Sequence, residues 1–233
     1  MSNEYFYKEF PKTCAADDFW GQVRRTVNGK PVGEDQIAMI VDAVRAGLDL
    51  KATDCLLDLC CGNGALSTRI FAHCSGGLGV DFSGVLIEVA QANFARPGRD
   101  EYLLDDVEAF VNSSAGVERF TKGLCYGSFQ YLSEAKARAV LGGLRIRFSG
   151  VSHMFIGNLP DRDRIANFYR DGNVQERLAD DPGSPVGIWR SQSQFTELAR
   201  ATGWNAEFRQ MPAGYYAAHY RYDAVLTPAD TVR

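Results

Sequence analysis

The sequence has no long apolar run, no cluster of basic residues and few histidines, and each absence excludes a class of function. No stretch of about eighteen apolar residues occurs, so we expect no transmembrane helix. Lysine and arginine are scattered and the formal net charge is −4, which argues against DNA or RNA as a partner. The first residues, MSNEYFYKEF, have no apolar core, so we do not expect a signal peptide.

The six cysteines, at positions 14, 55, 60, 61, 74 and 125, include no C-x-x-C pair. Only three histidines are present to complement them, so we expect no zinc site and predict no metal. Several of the cysteines lie in apolar, strand-like runs. Buried, reduced thiols are therefore expected, which is typical of a cytoplasmic protein.

The length of 233 residues and the hydrophobic content of 45% suit one α/β domain with a substantial core. Aromatic residues are frequent in the first part of the sequence and show no clear periodicity there: Tyr5, Phe6, Tyr7, Phe10, Phe19 and Trp20. We predict that residues 1–33 form an N-terminal helical and aromatic lid over a domain of residues 34–233. An ordinary packing extension is the alternative.

The rest of the chain alternates between strand-like and helix-like segments. Strands are predicted at about 54–59, 78–81, 102–104, 120–125, 151–156, 204–210 and 220–226. Helices are predicted around Ile37–Leu48, at about 64–73, after Ser83, from Ser133 to about 142, and after the capping box Ser191-x-x-Gln194. The last two strands are joined by a short loop, so we expect them to pair antiparallel. Residues 157–188 interrupt the alternation and are expected to line the acceptor side of a pocket.

The most informative segment is L-L-D-L-C-C-G-N-G-A-L-S, from Leu56 to Ser67. It predicts a buried strand that ends in a glycine turn and continues directly into a helix. Such a turn brings backbone N–H groups close to a nucleotide-like ligand. A later strand-like run ends in Asp81, where an acidic side chain can accept hydrogen bonds from both ribose hydroxyls.

The segment can be compared with two nucleotide-binding sequence motifs. A dinucleotide fingerprint requires glycine where Cys60 stands, and here only Gly62 and Ala65 match it. The spacing D-x-x-x-G-x-G, from Asp58 to Gly64, instead resembles motif I of the class I S-adenosylmethionine (SAM) methyltransferases. Because the first glycine of that motif is replaced by Cys60, we expect the φ angle of Cys60 not to be positive.

The resemblance to this family covers nearly the whole chain. W-x-Q-V-x-x-T-V-N-G-x-P precedes motif I, from Trp20 to Pro31. Three later segments, Ile156–Arg162, Gly187–Trp189 and Tyr216–Asp223, complete a set similar to small methyltransferases of polysaccharide and natural-product clusters. The resemblance implies a Rossmann-like class I methyltransferase fold, an α/β architecture with a seven-stranded, mostly parallel sheet and an antiparallel last strand. It also implies SAM as co-substrate.

The resemblance further implies a set of cofactor-binding residues. Asp81 should hold the ribose, Phe82 should flank the adenine and Asp106 should reach the adenine amino group. The glycine turn and Tyr126 should line the methionine and sulfonium end. The full set comprises Trp20, Arg25, Asp58, Cys60, Gly62, Asn63, Gly64, Asp81, Phe82, Asp106, Val107, Cys125 and Tyr126.

Candidates for catalysis lie just past the carboxyl ends of predicted strands, where doubly wound sheets bind their ligands. His219 is the candidate base, because imidazole titrates near neutrality and the last strand begins at the ligand-facing edge. A histidine that only hydrogen-bonds the loop is the alternative. Tyr126 and Asn158 complete the catalytic set.

The function expected from these features is methyl transfer from SAM to a small polar acceptor, such as a sugar hydroxyl or a natural-product intermediate. The many aromatics expected at the ligand face suggest an alternative, because aromatic faces attract a sulfonium cation. Some proteins of this fold cyclise SAM to azetidine-2-carboxylate and release methylthioadenosine. A non-catalytic SAM-binding protein and an NAD-binding oxidoreductase stay open as well. The expected partner is a small molecule, with neither nucleic acid nor membrane.

Overall fold

The computed structural model describes residues 7–169 and 176–230. Tyr5 and Phe6, two of the aromatic residues assigned to the lid, lie outside the described residues, as do residues 170–175 of the predicted acceptor side. Within the described part, every helix is too short or too polar to span a lipid bilayer.

Nine strands are present in the described residues, in two sheets. They are β1 Thr26–Val27, β2 Lys30–Pro31, β3 Leu56–Leu59, β4 Gly77–Asp81, β5 Asp100–Leu104, β6 Lys122–Tyr126, β7 His153–Pro160, β8 Trp204–Arg209 and β9 Arg221–Pro228. The α-helices are Phe19–Gln22, Glu34–Leu48, Ala65–Phe71, Gly84–Phe94, Val107–Ser113, Glu134–Arg147, Ile165–Phe168 and Gln192–Ala201. Short 3-10 helices lie at Phe10–Thr13, Val117–Arg119, Phe129–Tyr131, Arg162–Arg164 and Glu176–Leu178.

The main sheet has seven strands in the order β5-β4-β3-β6-β7-β9-β8. All neighbouring strands are parallel except β9, which runs antiparallel to both β7 and β8. The chain leaves β3 toward β4 and β5 on one side and later returns to β6 and β7 on the other. This reversal of direction at β3 opens a crevice at the carboxyl ends of the strands. The predicted fold class, including the antiparallel last strand, is confirmed.

Helices cover both faces of the sheet and bury two hydrophobic cores. On one face, helices Val107–Ser113, Glu134–Arg147 and Gln192–Ala201 pack over Leu57 and Leu59 of β3. On the other face, helices Glu34–Leu48, Ala65–Phe71 and Gly84–Phe94 pack over Leu56. Every residue of β3, β4 and β6 is buried, as expected for central strands of a sheet covered on both sides.

Most helix starts follow the sequence signals. Ser83 caps its helix by accepting a hydrogen bond from Leu86 N–H, and both halves of the predicted Ser191–Gln194 capping box are formed. The predicted end of the fifth strand at about residue 156 is wrong, because β7 continues to Pro160. The register shifts between Ile156 and Leu159, so Gly157 and Asn158 form a bulge instead of ending the strand.

The N-terminal segment, residues 7–33, stays outside the main sheet. Its strands β1 and β2 pair only with each other, around a turn of Asn28 and Gly29 whose φ angles are +51° and +74°. These left-handed angles are those of a type I′ turn, for which Asn-Gly is the favoured pair. The segment is thus a locally stabilised hairpin preceded by the short helix Phe19–Gln22.

A pair of glycine substitutions tests the packing around the turn after β3. Gly64 has a φ of +76°, and a Cβ there would lie 2.7 Å from the Tyr102 ring. We expect Gly64→Ala to lower the free energy of unfolding by more than about 1 kcal/mol. Gly142, inside a helix with nothing within 4 Å of its Cβ position, is the matched control. Gly142→Ala should raise that free energy by about 0.4–1 kcal/mol. Urea unfolding measures both, and equal stability of Gly64→Ala and the unsubstituted protein would contradict this account.

Candidate active site

A cavity of about 390 Å³ lies at the carboxyl ends of β3, β4, β6 and β7, beneath the N-terminal segment. Its walls include the turn after β3, Asp81 at the end of β4, parts of the stretch from Tyr126 to Tyr131, and several of residues 20–26. The segment predicted to form the acceptor side of the pocket contributes Asn158, Phe168, Pro185 and Val186 to the cavity wall. Its volume is that of a site for one small molecule.

The turn after β3 is built from alternating left-handed residues. The φ angles are +60° at Cys60, +61° at Gly62 and +76° at Gly64. The expectation that Cys60 avoids a positive φ is therefore wrong. A left-handed non-glycine residue costs about 1–2 kcal/mol, and the packing of the Cys60 side chain against the core opposes that cost. The hydrogen bond with Cys125, together with burial, raises the pKa of the Cys60 thiol, so it stays a neutral thiol.

Asp81 ties this turn to the neighbouring strand. One carboxylate oxygen accepts a hydrogen bond from Gly62 N–H at 2.9 Å, and the other accepts one from Ser83 N–H at 2.9 Å. Burial raises the pKa of Asp81, while these backbone N–H groups oppose the rise. Each oxygen can accept a second hydrogen bond. Because the side chain borders the cavity, a hydroxyl of a bound molecule can donate that hydrogen bond to Asp81.

Asp58 is a second buried carboxyl group at the cavity. It lies in β3, and Ser67 Oγ donates a hydrogen bond to it at 2.5 Å. Burial raises the pKa of Asp58 to about 7, although the Ser67 hydroxyl and the charge of Arg25 both lower it. Near neutral pH the group is therefore a mixture of carboxylic acid and carboxylate.

Arg25 is held between two aromatic rings. Its guanidinium carbon lies 5.6 Å from the centroid of the Trp20 ring and 5.3 Å from that of Tyr126. The Tyr126 hydroxyl is in turn hydrogen-bonded to that of Tyr215 at 3.0 Å. Both rings therefore attract the cation and restrict its orientation. Arg25 Nη1 is buried and has no hydrogen-bond partner among the described residues.

Asn158 occupies the bulge of β7 with a φ of +64°. Two side chains of β9 hold its backbone: Asp223 accepts a hydrogen bond from Asn158 N–H at 2.7 Å, and Arg221 donates one to Asn158 C=O. Burial raises the pKa of Asp223 to about 6, although Asn158 N–H and Arg221 oppose the rise. The Asn158 side chain lines the cavity, and its Oδ1 atom is buried without a partner in the described structure.

The N-terminal segment is attached directly to the glycine turn. Asn63 Nδ2 donates to Phe19 C=O at 2.8 Å and to Gln22 Oε1 at 2.9 Å. Ser83 Oγ donates to Tyr7 C=O at 2.5 Å. The Tyr7 ring packs edge-on against Phe82 and Tyr131, with centroid distances of 5.9 Å in both cases. The segment thus covers the crevice from above.

Several predicted cofactor-binding residues do not line the cavity. Gly64 lies behind the turn against Tyr102, and Val107 and Cys125 belong to a hydrophobic core. Phe82 is 40% exposed beside Tyr7, so its predicted adenine contact would lie at the rim. These assignments stay predictions.

Asp106 is engaged in the structure of its own helix. Its carboxylate caps Val107–Ser113 by accepting hydrogen bonds from Glu108 N–H and Ala109 N–H, and Lys136 Nζ lies 2.5 Å from it. Partial burial opposes ionisation, but the Lys136 hydrogen bond and charge lower the pKa of Asp106 overall. Contact with an adenine amino group stays a prediction, since carboxylate oxygens accept more than one hydrogen bond.

His219 lies in the turn before β9 and does not line the cavity. It is exposed, its C=O accepts a hydrogen bond from Asn167 Nδ2 at 2.8 Å, and its ring lies 4.8 Å from that of Tyr220. A general base needs hydrogen-bond reach to the proton it removes. None of the three histidines, all within the described residues, lines the cavity.

Sequence reasoning did not identify Gln130, Arg221 or Asp223 as site residues. The sequence did contain a signal for Arg221 and Asp223, because these two charged residues lie two positions apart in a strand that is otherwise mostly apolar. Gln130 carried no such signal, since its position depends on how the chain turns after β6. In the described part of the chain, no group of three or more His, Cys, Asp or Glu side chains could hold a metal ion.

A scan against models of protein families and a search of curated proteins find no match. Solved structures with the same fold do exist. One is magnesium protoporphyrin IX methyltransferase of Synechocystis PCC 6803 with bound S-adenosylhomocysteine (SAH), at 13% identity and a TM-score of 0.58, covering 84% of this chain and 83% of that chain. Another is SAM-bound CalS10, an amino pentose methyltransferase from Micromonospora echinaspora, at 17% identity and a TM-score of 0.59, covering 84% and 91%. A third is a Haloferax volcanii methyltransferase in complex with its Trm112 activator, at 13% identity and a TM-score of 0.62, covering 86% and 92%. The chain therefore has the fold of SAM-dependent methyltransferases.

The raised pKa of Asp58 predicts a pH-dependent gain in stability for Asp58→Asn. The pKa of Asp58 is raised from 3.8 in the unfolded chain to about 7 in the folded protein. Between pH 4 and 7 the folded protein therefore binds more protons than the unfolded chain. Its free energy of unfolding falls as the pH rises through this range. Relative to the unsubstituted protein, Asp58→Asn should gain up to about 4 kcal/mol between pH 4 and 8. Urea unfolding across this range measures it. Asp42→Asn, at an exposed carboxylate, should show no such trend, and parallel curves for both variants would contradict the assignment.

Proposed function

We propose that this chain is an enzyme that binds SAM in the cavity and transfers its methyl group to a small polar acceptor. The observation that carries the proposal is the left-handed glycine turn joined to buried Asp81 through Gly62 N–H, at the edge of the cavity. The fold shared with methyltransferases crystallised with SAM or SAH supports it.

In this proposal the adenosine end of SAM lies beside β4. The Asp81 carboxylate accepts hydrogen bonds from the ribose hydroxyls, and Phe82 and Asp106 approach the adenine from the rim. The turn from Cys60 to Gly64 faces the methionine portion, with Asn63 fixing the turn to the N-terminal segment.

Aromatic rings on the cavity wall suit the sulfonium group. Seven such residues line it: Tyr7, Trp20, Tyr126, Tyr131, Phe168, Tyr216 and Tyr220. Their faces attract a cation by about 0.5–2 kcal/mol each where water is excluded. An acceptor enters from the side of Asn158 and Phe168 and presents its lone pair in line with the methyl–sulfur bond. His219 is not part of this proposal, because it lies outside the cavity.

Cyclisation of SAM is the second candidate, and two observations favour it. The cavity is near the lower limit of about 300–1,000 Å³ for small-molecule sites, and no histidine lines it to activate a hydroxyl acceptor. In this reaction the amine nitrogen of SAM bonds to the γ-carbon. The γ-carbon–sulfur bond breaks with its electron pair moving to sulfur, and the amine loses one proton to solvent. The products are azetidine-2-carboxylate and methylthioadenosine.

We further propose that residues 1–33 act as a lid on the domain formed by residues 34–233. The hydrogen bonds of Asn63 and Ser83 to this segment support the proposal, since they attach it directly over the cavity. The six cysteines are free thiols, which supports a reducing compartment such as the cytoplasm.

Substitution of Asp81 tests the assignment of the SAM site. Asp81→Ala should weaken SAH binding by about a hundredfold or more, because two hydrogen bonds to a charged acceptor are lost. Isothermal titration calorimetry measures the affinity, and thermal unfolding checks that the variant is folded. Asp105→Ala, at a carboxyl group that does not line the cavity, should bind SAH normally. An unchanged affinity in folded Asp81→Ala would remove Asp81 from the site.

Incubation of the purified protein with SAM alone separates the two candidate reactions. Methyl transfer should leave SAM intact without an acceptor, apart from traces of SAH. Cyclisation should yield methylthioadenosine and a four-carbon cyclic amino acid in equal amounts, above the non-enzymatic background. Mass spectrometry of the products distinguishes these results, and Asp81→Ala is the control for enzyme-dependent turnover.

A further inference from the structure

A second cavity, of about 290 Å³, lies between helix Glu34–Leu48 and the end of β8. Its walls are mostly apolar: Met39, Ala43, Ala46, Phe155, Met211 and Pro212. Of the polar residues that complete them, Asp42 and Gln210 are exposed at the surface, whereas Asp223 is buried. No described residue lines both this cavity and the first one, so the second cavity is separate from the proposed SAM site.

Asp223 supplies the buried carboxyl group of the second cavity. Side chains along a strand alternate between the two faces of a sheet, and Val225, two residues later in β9, packs in the core beneath helix Glu34–Leu48. The Asp223 side chain therefore points to the face on which the second cavity lies. Its Oδ1 accepts a hydrogen bond from Asn158 N–H at 2.7 Å, whereas Oδ2 has no hydrogen-bond partner among the described residues.

The Oδ2 atom of Asp223 is open to the second cavity. Four unpartnered side-chain atoms in the described part of the chain are sealed from solvent, and Asp223 Oδ2 is not one of them. Asp223 lines the second cavity and does not line the first. One oxygen of this carboxyl group thus holds the bulge of β7, and the other faces a cavity whose walls are mostly apolar.

The charge of Asp223 has no direct cationic partner in the part of the protein that the structure describes. Arg209 lies opposite Asp223 in β8, but its Nε donates to Glu207 at 3.2 Å. Arg221 donates to Asn158 C=O. Burial raises the pKa of Asp223 to about 6, although Asn158 N–H and Arg221 oppose the rise, so the group is a carboxylate at pH 7.5. A buried carboxylate without a paired cation is unfavourable, and a cation in the cavity removes this cost.

The second cavity combines two features that one kind of molecule satisfies. An ammonium group donates charge-assisted hydrogen bonds to a carboxylate, and a short carbon chain leaves water for an apolar wall. We propose that the second cavity binds a small organic ammonium ion, with its N–H groups on Asp223 Oδ2 and its carbon chain against Met39, Phe155 and Met211. The volume lies close to the lower limit of about 300 Å³ for small-molecule sites, which suits a short chain. This inference does not depend on the proposed function.

The methionines allow this site to be observed directly. Of the four in the sequence, Met39 and Met211 line the second cavity, whereas Met154 is buried in the core on the other face of the sheet. The full-length protein, labelled at its methionine methyl groups, is titrated with n-butylammonium chloride at pH 7.5 and constant chloride concentration, and NMR follows the methyl signals. Single Met→Leu variants assign them. We expect saturable shifts of the Met39 and Met211 signals without a change at Met154.

A neutral probe and a charge variant test the role of the carboxylate. We expect n-butanol, which has the same chain without the charge, to bind about tenfold or more weakly than n-butylammonium. Asp223→Asn keeps an oxygen for Asn158 N–H but removes the charge, and should weaken n-butylammonium binding to a similar extent. Asp161→Asn is the matched control, because Asp161 is a buried carboxyl group that also accepts a backbone hydrogen bond, from Asp163 N–H, and lines neither cavity.

A second variant tests the cavity itself, in case Asp223→Asn does not fold. Ala46 is exposed and lines the second cavity, so Ala46→Leu fills part of it from the surface of the helix. Ala38→Leu is the control, at an exposed position of the same helix that does not line the cavity. We expect Ala46→Leu to weaken n-butylammonium binding about tenfold or more and Ala38→Leu to leave it unchanged. Thermal unfolding of each variant shows whether it is folded.

The outcomes separate clearly. Saturable shifts that Asp223→Asn and Ala46→Leu lose, and that both controls keep, support the site. If Asp223→Asn does not fold, the comparison of Ala46→Leu with Ala38→Leu decides. The inference is overturned by the absence of saturable shifts, by equal binding of n-butanol, or by unchanged binding in folded Asp223→Asn. Met39 and Met211 signals that depend on protein concentration without the amine would indicate a lysine side chain of a second copy in the cavity, which also overturns a small-molecule site.

Discussion

The hydrogen bond from Gly62 N–H to buried Asp81 is the interaction on which the site depends. It joins the ends of two adjacent parallel strands and holds the left-handed turn that follows β3. The start of the next helix and the position of Asn63 are set by this turn, and Asn63 in turn holds the N-terminal segment. One buried carboxylate thus links the sheet, the turn and the cover of the cavity.

The site concentrates carboxyl groups where burial disfavours their charge. Asp58, Asp81 and Asp223 all have raised pKa values because burial outweighs the hydrogen bonds and positive charges around them. Arg25 places a positive charge in the same region. Its guanidinium lies against the Trp20 and Tyr126 rings instead of in direct contact with a carboxylate. The protein therefore gives up stability to hold buried carboxyl groups at or beside the cavity, which is common at binding sites.

The alternation of strands and helices, the capping signals and the short last connection predicted the strands, the helices and the antiparallel pairing of the last two strands, because these follow from local patterns. The seven-stranded, mostly parallel sheet was what the resemblance to the methyltransferase family implied. The bulge at Gly157 and Asn158 was not predictable in the same way, since it depends on the side chains of Asp223 and Arg221 from a distant strand. The left-handed Cys60 likewise depends on tertiary packing against the core. Asp81, Tyr126 and Asn158 line the cavity and were expected at the ends of strands, whereas Gln130 meets the site only through the folded chain.

The hairpin and short helix of residues 7–33 contribute no strand to the main sheet, and their contacts reach residues as distant as Tyr131. The surface that this segment covers includes residues after β6, which come much later in the sequence than residues 7–33. The packing of residues 7–33 therefore needs these later parts of the chain to be in place. Because the segment adds no strand to the main sheet, the pairing of β3 to β9 does not depend on it.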